Sequence, residues 1–131
     1  MSKNIFKNHT IPLLVMLVFS FHPIYAQDKI IGIWQTENNL AKVEIYENKN
    51  LIYGKIISVS DPKNNSKIGL LILKKFKPIG NTYHDGTIVE PNHNHSVNGT
   101  LELSRDGKKL VVKGKAFLGL ISKSEIWTKI D

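Results

Sequence analysis

The side chains most capable of chemistry are gathered in one stretch, Tyr83-His84-Asp85-Gly86-Thr87-Ile88-Val89-Glu90-Pro91-Asn92-His93-Asn94-His95. It holds three of the five histidines and two carboxylates. A metal site would use His93 and His95, which share a face if the segment is extended, with His84, Asp85 or Glu90 completing the set. That spacing matches no recognised ligand pattern, and Pro91 to Ser96 has the composition of a solvated turn. A hydrolytic site would need a histidine as base, Asp85 or Glu90 to orient it, and a nucleophile such as Ser96. No nucleophile elbow or paired catalytic spacing accompanies them. The stretch is therefore expected to form the rim of a binding pocket, with no catalytic residue, no metal and no cofactor. Nucleic acid is not an expected partner, because Lys74-Lys75-Lys77 and Lys108-Lys109 lack interleaved aromatics for base stacking.

The N-terminus bears on where such a pocket would work. Lys3 and Lys7 precede an apolar run from Ile11 to Phe21, and Ile24-Tyr25-Ala26 offers a cut before Gln27. Residues 1–26 are thus expected to be a secretory signal peptide, since the run falls short of the roughly 20 apolar residues of a spanning helix. The chain has no cysteine, which excludes a lipid anchor on an N-terminal cysteine, any disulfide and any thiolate metal site. An exported protein, periplasmic or secreted and without stable membrane insertion after cleavage, is the expectation. The formal charge is +7, of which Lys3 and Lys7 supply two, and the excess left on residues 27–131 reads first as solubility.

Residues 27–131 suffice for one domain. Ile31 to Thr36 reads as a β-branched and aromatic strand, and Ala41 to Glu47 alternates, with Ala41, Val43 and Ile45 opposite Lys42, Glu44 and Tyr46. Leu51 to Val59 follows with Gly54 in its middle, then a polar loop from Ser60 to Lys67. Leu70 to Phe76 fits either a buried strand or a single helical turn, with Pro78 and Gly80 ending it. Asn81 to Glu90 is a strand in which Asp85-Gly86 makes either a hairpin turn or a bulge. Val97 to Leu103, Lys109 to Phe117 and Ser122 to Ile130 complete the set, with Asp106-Gly107 the clearest hairpin. Leu110, Val112, Gly114 and Ala116 share one face, so the inner wall there is slim and should leave room. Short strands and hairpin connections predict an all-β fold, a small antiparallel up-and-down barrel of seven or eight strands.

Gly32-Ile33-Trp34, Val43-Glu44-Ile45-Tyr46, Tyr53-Gly54-Lys55-Ile56, Gly86 to Pro91, Leu101-Glu102-Leu103, Leu110 to Gly114 and Glu125-Ile126-Trp127-Thr128 resemble, in order, the bacterial exported family called domain of unknown function 2147. The resemblance implies a lipocalin-like (calycin-like) barrel with no established catalytic residues. This chain departs from the family pattern in having Glu90-Pro91 for its Asp-Pro, Asn94 for a turn glycine, Val97 near an expected tyrosine, and Tyr53 where many members carry cysteine. The candidate pocket residues are Trp34, Tyr53, Tyr83, Glu90, Asn92, Val112 and Trp127, although Trp34 and Trp127 at the first and last strands equally suit the core. The expected function is binding of a small apolar or amphiphilic molecule in the cell envelope. The alternative is a barrel without a cavity that meets a protein or anionic polymer through its surface.

Overall fold

The computed structural model describes residues 29–92, 95–115 and 122–131. Eight strands close into one antiparallel barrel in sequence order: β1 Gly32–Gln35, β2 Ala41–Asn48, β3 Leu51–Val59, β4 Leu71–Ile79, β5 Thr82–Glu90, β6 His95–Leu103, β7 Lys109–Lys115 and β8 Ser122–Lys129. Every strand thus pairs with its neighbours in sequence, and β1 meets β8 at Trp34↔Lys129 and Gln35↔Thr128. Up-and-down winding follows from connections too short for a crossover.

Alternation decides which side chains face inward. In β2, Val43 and Ile45 are fully buried while Lys42 is exposed. In β3, Ile52, Gly54 and Ile56 point in, which sends Tyr53 and Lys55 out. Two features of the sequence resolve in an unexpected way. Leu71–Ile79 is a strand that runs through Pro78, which pairs with Tyr83 instead of ending the element. β6 begins at His95, because Glu90↔His95 closes the β5–β6 ladder two residues earlier than composition suggests. Of the expected seventh strand, Ala116 and Phe117 lie outside the described residues, as do His93, Asn94 and the expected signal peptide.

Asp85-Gly86 is a bulge: β5 runs through it, the register with β6 shifts between Tyr83 and Gly86, and Asp85 takes φ 59°. The 104–109 connection is the expected hairpin. There Gly107 has φ 75°, and the Ser104 hydroxyl (2.7 Å) and the Lys108 amide (3.0 Å) both donate to the Asp106 carboxylate, holding its pKa below the ordinary value. The polar loop after β3 is a 3-10 helix, Pro62–Lys67, with Asp61 accepting from the Lys63 amide at 3.0 Å.

One end of the barrel is sealed. Ile30, just before β1, is fully buried, and its carbonyl accepts from the Trp34 indole at 2.8 Å. Lys129 places its ammonium 5.9 Å from the centre of the Trp34 ring. Above this floor lie Phe76, Tyr83, Leu101, Leu103 and Leu110, all buried.

Candidate binding site at the open end of the barrel

Ladder registers stack the inner face of β5 to β8 into rows. Nearest the sealed end, Leu103 pairs with Leu110 and Leu110 with Trp127. The next row is Tyr83, Leu101, Val112 and Glu125, and the third is Gly86, Gly99, Gly114 and Lys123. Ile88 opposite Val97 forms the fourth, and Glu90 opposite His95 the rim. Side chains on β8 alternate with Ile126 outward at 51% exposure and Trp127 inward at 4%, so Lys123 and Glu125 occupy inward positions.

The glycine row is the turning point. Neighbouring side chains occupy the space that those glycines leave: a Cβ on Gly86 would overlap the Phe76 ring, and one on Gly99 would overlap Ile88. At Gly114 a Cβ would sit 3.0 Å from Val97 Cγ2. The slim wall therefore does not leave the room that its small residues suggest. It lets Phe76 and Ile88 fold across the barrel, and the interior below is packed.

Toward β8 and the rim the inner face becomes polar: Glu125 and Lys123 end the second and third rows, and Glu90 and His95 stand beyond the fourth. Glu90 is half-buried, and His95, Lys123 and Glu125 are exposed. The Trp127 indole donates to Glu125 Oε1 at 2.9 Å, which fixes a carboxylate over the apolar floor beside Val112. Glu90 Oε1 accepts from the Asn92 amide at 3.2 Å, and the Lys67 ammonium donates to Asn92 Oδ1, tying the rim to the 3-10 helix after β3. The arrangement sets half-buried Ile88 and Val97 beneath side chains of both signs of charge. Among the described residues no nucleophile is paired with a base there.

Of the residues expected at a pocket, Glu90 and Asn92 lie at the rim. Val112 and Trp127 are buried beneath it, Val112 in the same row as Tyr83 and Trp127 one row nearer the sealed end, and Trp34 and Tyr83 are fully buried within the core. Tyr53 does not face the interior. It stacks on Tyr46 across β2 and β3 on the outer wall, centroids 5.8 Å apart and planes 16° from parallel, with Lys55 5.7 Å over Tyr46 and 3.7 Å from Glu44. Lys55, two residues on, carried the signal, because a lysine on the tyrosine's face marks that face as wet. His84 points outward from the lower half of β5, its Nε2 2.8 Å from Thr82 Oγ1, whereas His95 stands at the rim. The two do not converge, and no group of three metal-ligating side chains forms among the described residues. Lys123 and Glu125 were not foreseen: Ser124-Ile126-Thr128 and Lys123-Glu125-Trp127 alternate equally well, and only the register with β7 says which set faces in.

A second concavity lies on the outside. It is a groove of about 520 Å³ between the β1–β2 turn, residues 35–39, and the outer face of β8, where Ile126, Thr128 and Ile130 line it with Lys109.

Comparison with known proteins agrees with this architecture. A protein of Helicobacter pylori, HP1028, described as belonging to the lipocalin family, superposes with a TM-score of 0.64 at 18% identity, over 78% of this chain and 83% of its own. At that identity the likeness concerns the fold. No curated protein matches the sequence. Residues 32–129 match the family model described as "Uncharacterized protein conserved in bacteria (DUF2147)". The chain belongs to that family, with a lipocalin-like closed barrel of eight strands.

Proposed function

We propose that this protein is an exported, non-enzymatic binding protein of the cell envelope that seats a small amphiphilic molecule at the open end of its barrel. The observation that carries the reading is the change across the inner face, from the apolar row of Leu103, Leu110 and Trp127 at the sealed end to Glu125 and Lys123 on β8 and Glu90 and His95 at the rim. Charged groups on inward positions cost several kcal/mol when buried without partners. Their exposure makes this end a wet mouth over an apolar floor. The packed interior limits the apolar part to a short chain resting on Ile88, Val97 and Val112, while the head meets the rim charges. Export is supported by the composition of residues 1–26.

Trp127 reports on the test, because its indole donates to Glu125 beneath the mouth. Titration with medium-chain fatty acids and medium-chain alkylammonium salts should give a saturable change in Trp127 fluorescence, and Glu125→Gln should weaken it. Native mass spectrometry of protein taken from its own envelope should show a co-purifying small molecule. No optical response to either class and no bound mass would sink the reading.

One observation favours a second reading, in which the barrel acts through its outer surface on a protein or anionic polymer. The interior is filled by Phe76 and Ile88, while Ile126 and Ile130 stay exposed beside a basic strand.

A further inference from the structure

The two strands that close the barrel differ in length. β1 has four residues and β8 has eight, and they pair only at Trp34↔Lys129 and Gln35↔Thr128. The amides of β8 alternate in direction. The Lys129 amide donates to Lys108 on the β7 side at 2.9 Å, so those of Trp127, Glu125 and Lys123 point the same way. The even-numbered amides point toward β1. Following them upward, Ile130 donates to the Ile33 carbonyl at 2.9 Å, and Thr128 lies opposite Gln35. The Ile126 amide has already outrun β1, and a side chain stands in for the missing strand: Glu37 Oε1 accepts from it at 2.8 Å. Past that substitute, β8 pairs with no strand on this side among the described residues, and the Ser124 amide projects from a bare edge.

On the outer wall the charge nearest the upper part of this edge is positive, while the Glu37 carboxylate is engaged by the Ile126 amide at its lower limit. On the outer face, Lys113 lies opposite Ser124 and Lys115 opposite Ser122. Neither forms an ion pair among the described residues. The outward neighbours on β8 are uncharged, Ser124, Ile126 and Thr128, and Glu102 sits one strand farther from the edge, on β6. A strand added at the usual spacing of about 5 Å would run within reach of both lysines. Backbone groups that lack a partner strand are a template for strand addition. The lysines select the occupant: a second copy would bring its own Lys113 and Lys115 to the same seam, whereas a carboxylate-rich segment would neutralise them.

We infer that the upper half of β8, from Ser122 to Ile126, is a docking edge for an extended acidic segment of a partner protein. The segment adds as a strand beside β8, accepts from the Ser124 amide, and places alternate carboxylates over Lys113 and Lys115. Its pairing stops at Glu37, which already accepts from the Ile126 amide. This inference rests on the surface reading above and names the contact and the partner's chemistry. It is independent of the amphiphile site, which lies on the inner face.

The test uses the full chain with two capped peptides, one alternating valine with glutamate and one alternating valine with lysine. Amide exchange is followed by NMR. The acidic peptide should slow exchange at Ser124 by about tenfold or more, the protection expected of a new ladder bond. The basic peptide should not, and about 1 M salt, where the screening length is about 3 Å, should weaken the effect. Lys113→Glu with Lys115→Glu should reverse the preference. Ser124→Pro should abolish binding without touching the β7 ladder, since the amide it removes faces away from β7. The lysine pair serves as the independent variant should the proline disturb folding. Equal protection by both peptides, no protection by either, or protection without peptide together with a dimer in sedimentation would each overturn the inference. Peptide-induced shifts confined to another part of the outer wall would overturn the edge as the contact while leaving a surface role standing.

Discussion

The two ends of this barrel are built from the same eight strands and the same period-two pattern, yet they differ in what the inward positions carry. At the sealed end Trp34, Leu103, Leu110 and Trp127 face in, Ile30 plugs the opening, and the Trp34 indole finds its acceptor in the Ile30 carbonyl. At the open end the same strands turn Glu90, His95, Lys123 and Glu125 inward. Below the rim lies the glycine row, with Lys123 at its β8 end, and it brings Phe76 and Ile88 across the barrel. The row closes over the packed half, so the apolar rows supply stability while the charged side chains stay in contact with solvent. Strand pairing alone therefore does not distinguish the two ends. The chemistry of the inward positions does.

The largest effect should come from the sealed end. Trp34→Ala would leave a cavity and an unpaired Ile30 carbonyl, and should cost about 3–5 kcal/mol in urea unfolding. A loss as small as that of a surface substitution would mean that the floor is not the source of stability. Next comes the boundary: Gly86→Ala would press on Phe76 and Gly99→Ala on Ile88, each destabilising by about 1–3 kcal/mol through overpacking. If Gly86→Ala is instead neutral, the row has slack and the interior can yield to a longer ligand. At the open end, Glu90→Gln and Glu125→Gln should change stability by no more than about 0.5 kcal/mol, because neither carboxylate is buried and the amide oxygen can still accept a hydrogen bond, while altering amphiphile binding. A loss of stability as large as at the floor would abolish the distinction between the ends.

The smallest effect belongs to the 104–109 hairpin, where Asp106 is fully exposed. Its folded pKa is depressed, first by the Ser104 hydroxyl and then by the Lys108 amide. The contribution is present at neutral pH and disappears as pH falls through the folded pKa. Carbon-detected titration should place the Asp106 midpoint below that of an unstructured aspartate, and Ser104→Ala should move it upward.

Much of the barrel was legible along the chain. The alternation of Val43 and Ile45 with Lys42 and Glu44 marks a sheet wet on one face. The Asp106-Gly107 signal fits one turn geometry, and the strand Leu51–Val59 falls where β-branched residues run between two turns. Asn92 and Glu90 could be placed at a rim because Pro91 stops the strand there. The lining was less legible. Tyr53 was a candidate as a large aromatic, yet Lys55 on the same face turns it to solvent. Gly114 looked like space, but whether a missing side chain is a void depends on what stands opposite, and here Val97 and Ile88 do.

What the sequence determined by itself is the local physics: period-two strands, the turns between them, a chain without cysteine, and an apolar run near the N-terminus. These depend on a residue and its near neighbours. Closure of the barrel, with β1 against β8, decided the rest. It set the register that turned Glu125 and Lys123 inward, seated Ile30 under Trp34, and left β8 longer than the strand that meets it. Such relations join residues up to a hundred positions apart, and a one-residue change of register would exchange the inner and outer faces of β8. Local preference is indifferent between the two. The burial of Trp127 in the core, with Ile126 left on the outer wall, is what chose.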